Sequence, residues 1–392
     1  MKITRLEVIT YQRPNHHIPW NLLKVHTDEG ITGYGEPVLE GRARTVLTAV
    51  DELGDYIIGK DPLEINRLWQ DMYHGSFYRG GPIMTSALSG VEQALWDISG
   101  KWYKVPAYDL MGGKVRDRIR MYAHARPLPE NDTPQGWADA ALKRKEEGFN
   151  AVKVMVVGYD KTTGERTPVR RFENPARVTA MADRIGAIRQ AVGNDFDIAV
   201  ELHGMYSPML AKEFIKEIEQ YRPMWIEEPV LPDNDDLMAE IAQMTHIPIA
   251  AGERLYSRWD FRKLLELHGC EIIQPDVSHA GGIWELKMIA AMAEVNFCGI
   301  APHCPLGAVA LAACLQVDAS TINFFIQEHN TLGSELLKEP FQLDKDGFIP
   351  VPAGPGLGIE IDDEKFKTII NKDARGHLPW FSDKLDGSFL SL

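Results

Sequence analysis

The 392 residues, 44% hydrophobic and 25% charged, have the balance of a soluble globular protein with length for about two domains. The formal charge of −14, from 42 basic and 56 acidic side chains, argues against a nucleic-acid binder, which needs a basic surface to neutralise phosphates. It leaves an anionic small substrate open, because a bound metal and one or two cations can reverse the field locally.

Cys270, Cys298, Cys304 and Cys314 form no C-x-x-C pair and read as reduced thiols of a cytosolic protein. The start, MKITRLEVITYQRP, has no apolar core after its basic residues, and no apolar run is long enough to span a bilayer. Neither a signal peptide nor a membrane partner is expected, and the expected location is cytoplasmic.

In chain order, MKITRLEVITYQ alternates apolar and polar residues as a half-buried strand does. NLLKVHTDEGITGYGEPV reads as two strands around a turn at Asp28-Glu29-Gly30. RARTVLTAVDELGDYIIG and MTSALSGVEQALWDISGKWY have helical spacing. Residues 1–118 are therefore expected to form an α+β domain.

From residue 119 to 330 short apolar strands alternate with amphipathic helices. The strands are IRMYAHA, AVKVMVV, DIAVELHG, MWIEEPV, IPIAAGE, IIQPDV, FCGIAPHC and INFFIQEH. Strand–helix alternation implies a parallel sheet, and eight such strands imply an α/β TIM barrel. Residues 201, 227, 253, 276, 303 and 328 are spaced 23 to 27 apart, a regular pitch. The segment GYDKTTGERTPVRRFENP (158–175) reads as a loop inserted after the second strand, either a surface excursion or a lid. After 331 the pattern stops, and GPGLG reads as a turn.

Active sites on such barrels form at the C-terminal strand ends. Glu201, Glu227 and Glu253 come from three consecutive strands. Strands lie about 4.8 Å apart, so these carboxylates crowd, and a hard dication such as Mg²⁺ relieves the repulsion. One such acid alone reads more readily as a strand-end cap or structural ion-pair partner; three in the same phase on consecutive strands reverse that order. His203 is expected to share the strand face of Glu201 by period-2 geometry. His303 lies across the mouth, and Asp276 is placed to orient it; two imidazoles there suit acid–base chemistry. Lys153, in a buried-looking strand, requires acidic partners and could bind a substrate carboxylate. Glu328 either donates a hydrogen bond to a developing enolate, if protonated, or pairs with Lys153.

The segments TDEGITGYGEPVLEGRARTV, FYRGGPIMTSALSGVEQALWDISGK, WIEEPV, AAGERLYSR, IIQPDVSHAGGI, APHCPLGAVALAACL and PGLGIEID carry a resemblance along essentially the whole chain. It resembles the mandelate-racemase subgroup of the enolase superfamily. The resemblance implies a modified (β/α)7β barrel over 119–330. It implies a capping domain from residues 1–118, onto which a segment of 331–392 packs back. It implies one Mg²⁺ per subunit on Glu201, Glu227 and Glu253. His303 with Asp276 would remove the C2 proton of an aldonate, His203 would protonate the departing 3-hydroxyl, and Glu328 would stabilise the enolate. The product would be a 2-keto-3-deoxy acid.

Where racemases of the subgroup carry K-x-K, this chain has Lys153-Val154-Met155, which removes their second base and favours dehydration. Members acting on galactonate carry Asp where this chain has Glu201. With the 158–175 insert and PNHHIPW (14–20), this leaves the substrate open between D-galactonate, the first expectation, and D-gluconate or another aldonate. Epimerisation of an acid sugar, and a catalytically idle binding protein, are the alternatives. His16, His17, Trp20 and Tyr78 are expected to touch distal hydroxyls and Lys153 the carboxylate. The only partner expected besides this small acid sugar is further copies of the chain, since barrels of this family are usually oligomeric.

Overall fold

The computed structural model describes residues 1–13, 18–159, 167, 169 and 173–374. His16, His17 and most of the 158–175 insert lie outside the described residues.

The chain opens with β1 (Ile3–Tyr11), β2 (Trp20–Thr27) and β3 (Thr32–Gly35), an antiparallel sheet in that order. The turn at Asp28-Glu29-Gly30 has Gly30 at φ +77°, a conformation glycine adopts without strain. Three helices follow: α1 (Ala43–Ile57), α2 (Ile65–His74) and α3 (Pro82–Tyr103). The sheet packs directly on α3, and a Cβ at Gly35 would collide with the Gly90 carbonyl. Helix α3 is buried continuously from Thr85 to Gly100, so it lies between the sheet and the rest of the molecule. Helix α2 was not expected, although its buried Ile65, Leu68, Trp69 and Met72 follow the i, i+3, i+4, i+7 pattern.

A short α4 (Ala107–Leu110) leads into the barrel. Its elements alternate: β4 (Arg118–His124), α5 (Pro134–Glu146), β5 (Ala151–Val154), α6 (Pro175–Val192), β6 (Asp197–Glu201), α7 (Pro208–Ile218), β7 (Trp225–Glu227) and α8 (Asp235–Ala242). They continue as β8 (Ile249–Ala251), α9 (Arg258–Glu266), β9 (Ile272–Ile273), α10 (Ile283–Val295), β10 (Gly299–Ile300), α11 (Ala308–Ser320) and β11 (Gln327–Glu328). The parallel strands run in the order β10-β9-β8-β7-β6-β5-β4-β11. A parallel bridge from Ile300 to Phe324 joins the two ends, giving eight strands and seven intervening helices. Thr133, Asn174 and Ser207 each cap the helix that starts with the following proline, by accepting a backbone N–H.

Inside the barrel β4 to β9 contribute one side chain each, and Ala301 just after β10 and Ile326 just before β11 one more each, to a plug of alanines and isoleucines around Tyr122 and Trp225, whose rings meet edge to face at 5.5 Å. This plug closes the barrel beneath the C-terminal strand ends, so polar groups there face the mouth. Finally β12 (Phe348–Pro350) pairs antiparallel with β4, and α12 (Asp363–Ile369) is followed by Asn371, whose N–H donates to Thr10 O on β1. Among the described residues no helix is long and apolar enough to cross a membrane.

The N-terminal elements grip the barrel loops. Arg13, its guanidinium 4.7 Å from the Trp20 ring centroid, donates to Leu306 O at 3.0 Å. Glu36 accepts from the N–H groups of Gly307, Val309 and Ala310, the start of α11, where a carboxylate complements the helix dipole.

Candidate active site

Glu201 and Glu227 end adjacent strands and are register partners, so their side chains leave the sheet at the same height. Both are buried, as is Lys153. The Lys153 Nζ lies 2.8 Å from Glu227 Oε1, 3.0 Å from Glu328 Oε1 and 3.4 Å from Glu201 Oε2. Burial would lower the ammonium, but Glu227 and Glu328 raise it well above its ordinary value. Burial and the Glu227 charge push Glu201 well above the carboxylate range, whereas Lys153 holds Glu227 below it despite burial. Trp225 Nε1 donates to the other Glu227 oxygen at 3.0 Å.

Strands β8, β9 and β10 are shorter than the sequence suggested and end at Ala251, Ile273 and Ile300. Glu253, Asp276 and His303 therefore sit in the loops just beyond. Strand β6 likewise ends at Glu201, and His203 follows in a left-handed conformation at φ +54°. Period-2 geometry thus does not apply to His203. The turn itself brings it back, with its N–H donating to Glu201 Oε1 at 2.7 Å and its Nε2 3.7 Å from Glu253 Oε1. A non-glycine residue held at positive φ is backbone strain of the kind found at functional sites. Glu228, at φ +40°, turns the other way: Arg254 holds both its oxygens, at 3.1 and 2.6 Å.

His303 Nδ1 lies 2.8 Å from Asp276 Oδ2 and its Nε2 3.3 Å from Glu253 Oε2. Burial would depress this imidazole, but Glu253 and the Asp276 hydrogen bond raise it to about 10.

Glu328 Oε1 lies 3.0 Å from Lys153 Nζ, the ion pair that was one of its two readings; burial would raise it, but Lys153 and His124 hold it well below the carboxylate range. Its second oxygen accepts from Cys304 N–H at 3.0 Å. His124, which ends β4 and contacts Glu328 through Nε2, was missed, although a histidine at a barrel strand end was visible in IRMYAHA. Burial and the neighbouring Arg126 lower it to about 3.

Of the residues expected to touch the sugar, Lys153 lies in this cluster. Tyr78 is 86% exposed on the turn before α3, against Phe77, and Trp20 is buried in the N-terminal sheet beneath Arg13.

Among the described residues Glu201 Oε2 and Glu253 Oε2 are buried and accept no hydrogen bond of good geometry, although Lys153 and His303 stand 3.4 and 3.3 Å away. Buried carboxylate oxygens in that state suit a hard dication. One ligand atom each from Glu201, His203 and Glu253 lies within 4.8 Å of the others. His203 thus joins the possible donors, while Glu227 beside them is engaged by Lys153.

Comparison with known proteins bears on this arrangement. The family described as mandelate racemase / muconate lactonizing enzyme, N-terminal domain, matches residues 10–112, and enolase C-terminal domain-like matches residues 136–365. The chain is 48% identical over 374 residues to a D-galactonate dehydratase of Ralstonia pickettii (strain 12J), covering 93% of each. Among solved structures, an enolase-superfamily member from Salmonella Typhimurium is 35% identical with a TM-score of 0.86, over 94% of this chain and 98% of that one. A mandelate racemase/muconate lactonizing enzyme from Jannaschia sp. CCS1 is 32% identical with a TM-score of 0.87, over 97% and 100%.

Proposed function

Because the chain belongs to the mandelate racemase / muconate lactonizing enzyme family of the enolase superfamily, we propose that it is an acid-sugar dehydratase. It eliminates water from an aldonate, D-galactonate first, and its site is the cluster at the barrel mouth. The observation that carries this reading is the Asp276–His303 pair facing a nest of carboxylates around one buried lysine. The likeness to the Ralstonia pickettii D-galactonate dehydratase supports the substrate class.

Glu201, Glu227 and Glu253 would hold Mg²⁺. Bound there, the ion supplies electrostatic stabilisation for the negative charge that develops when the carbon beside a carboxylate loses its proton.

The remaining steps belong to side chains. Glu253, the charge that most raises His303, would be neutralised by the ion it holds, which lets the imidazole lose its Nε2 proton at neutral pH; His303 then accepts the C2 proton at Nε2, while Asp276 fixes the Nδ1–H tautomer and stabilises the imidazolium that forms. His203, across Glu253 from His303, gives a proton to the 3-hydroxyl, which leaves as water. The enol that remains tautomerises to a 2-keto-3-deoxy acid. Lys153 is the cation nearest the substrate carboxylate, and Glu328 positions it together with His124. Met155, buried two residues beyond Lys153, has no basic nitrogen to return a proton to the opposite face of C2, which sets dehydration above epimerisation.

The test is incubation with Mg²⁺ and a panel of aldonates, including D-galactonate and D-gluconate, with α-keto acid assayed as its semicarbazone. The expected result is α-keto acid from D-galactonate. α-Keto acid from another member alone would move the substrate within the class. None from any member would overturn dehydration, and C2 exchange in D₂O without loss of water would replace it by epimerisation.

A further inference from the structure

One buried histidine beside the site has no part in the chemistry above. His279 lies in the turn after β9, only 4% exposed, and three elements converge on its ring. Nδ1 is 2.9 Å from Ser86 Oγ on α3. Nε2 is 3.6 Å from Glu40 Oε2, in the loop after β3, and 3.9 Å from Asp276 Oδ2. That Asp276 oxygen is the one that accepts from His303, so a single carboxylate oxygen lies between two imidazoles.

The hydrogen bonds fix the protons on this ring. Ser86 has one hydroxyl proton and donates it to Pro82 O at 2.6 Å. It offers His279 only a lone pair, so Nδ1 carries a hydrogen. Among the described residues Nε2 faces two carboxylates and no donor; a bare lone pair there would be repelled by both, so Nε2 carries a hydrogen as well. Both nitrogens protonated means an imidazolium.

We propose that His279 is a positioning residue, a standing imidazolium paired with Glu40 and Asp276, through which the N-terminal domain orients the Asp276–His303 pair. The proposal rests on the reading of that pair as the base. Burial by itself would depress His279, yet Asp276 and Glu40 raise it above the ordinary histidine value, with His303 opposing from across Asp276. Glu40, which burial would raise, is held at about 2 chiefly by His279. The same turn is gripped along its length by α3. Gln93 donates to Val277 O and Ser278 Oγ, Ser89 accepts from Gly281 N–H, and Glu92 accepts from the Ile283 and Trp284 N–H groups.

In this arrangement the N-terminal domain supplies the counter-charge that fixes where Asp276 points. Without the imidazolium, Glu40 and Asp276 repel, and Asp276 Oδ2 loses the cation that centres it beneath His303. His279 does not reach the reacting carbon, so its loss falls on kcat and not on substrate binding.

The experiment has two arms. In ¹⁵N-histidine-labelled enzyme, with His279→Gln used for assignment, both ring nitrogens of His279 should remain protonated at about pH 8, where an ordinary histidine is neutral. A neutral His279 at that pH overturns the proposal. In the second arm Glu40→Gln should lower kcat on the order of 10-fold with KM little changed, and Glu40→Asp should restore most of it. An unchanged kcat, or an effect confined to KM, overturns the positioning role. The first arm needs no substrate, so failure of the dehydratase reading, seen as no turnover of any aldonate, is told apart from failure of this one.

Discussion

His303→Asn should lower turnover about 10³- to 10⁴-fold, the contribution of a positioned general base, while leaving the fold intact. Asparagine can reach toward Asp276 but cannot accept a proton at neutral pH. Asp276 stays satisfied, because its Oδ1 accepts from Ser278 N–H at 2.6 Å and His279 remains 3.9 Å from Oδ2. His303 lies 3.3 Å from Glu253 but is not among the proposed ligands, so Mg²⁺ titrations should still show a single site. The check is kcat together with thermal unfolding and metal affinity of the same preparation. Turnover within about tenfold of the parent, a loss too small for a removed general base, would take His303 out of the reaction.

Glu227→Gln should weaken Mg²⁺ binding on the order of 100-fold, about 2.7 kcal/mol, because one of three anionic ligands is replaced by a neutral amide. Lys153 keeps Glu328 at 3.0 Å and Glu201 at 3.4 Å, so the variant does not strand a buried cation. Calorimetric titration of the folded protein measures the change. Unchanged affinity, with a large loss in His203→Gln instead, would move the third ligand to His203 and establish the Glu201–His203–Glu253 grouping. In the parent protein affinity should also rise with pH, since Glu201 is pushed well above the carboxylate range by burial and Glu227 and must lose its proton before it can ligate.

The strand–helix rhythm was readable because every barrel strand is a short apolar run between amphipathic helices, and Glu201, Glu227 and Glu328 end strands where that rhythm put them. Loop geometry was not readable. Periodicity says nothing past a strand's last residue, so the left-handed His203 and the placements of Glu253 and Asp276 came only from the fold. The charge state of Glu328 was equally hidden. It depends on Lys153 from β5 and His124 from β4, contacts made across the sheet and not along the chain. His279 shows the same limit: it is three residues from Asp276, but its other partners, Glu40 and Ser86, are brought to it only when the N-terminal domain packs on the barrel. Tyr78 and Trp20 show the limit from the opposite direction: one is exposed and the other buried, a difference that a resemblance between loops does not carry.

On the proposed function, this barrel mouth takes a proton from the carbon beside an aldonate carboxylate through His303. The most direct measurement is the fate of the label in [2-²H]galactonate incubated with Mg²⁺ and either the parent protein or His303→Asn. The parent is expected to form keto acid with the C2 deuterium lost to solvent, more slowly than from unlabelled substrate, and the variant to leave the label in place. Loss of the C2 deuterium at undiminished rate in His303→Asn, or keto acid formed by the parent with no isotope effect on its C–H cleavage step in single turnover, would contradict it.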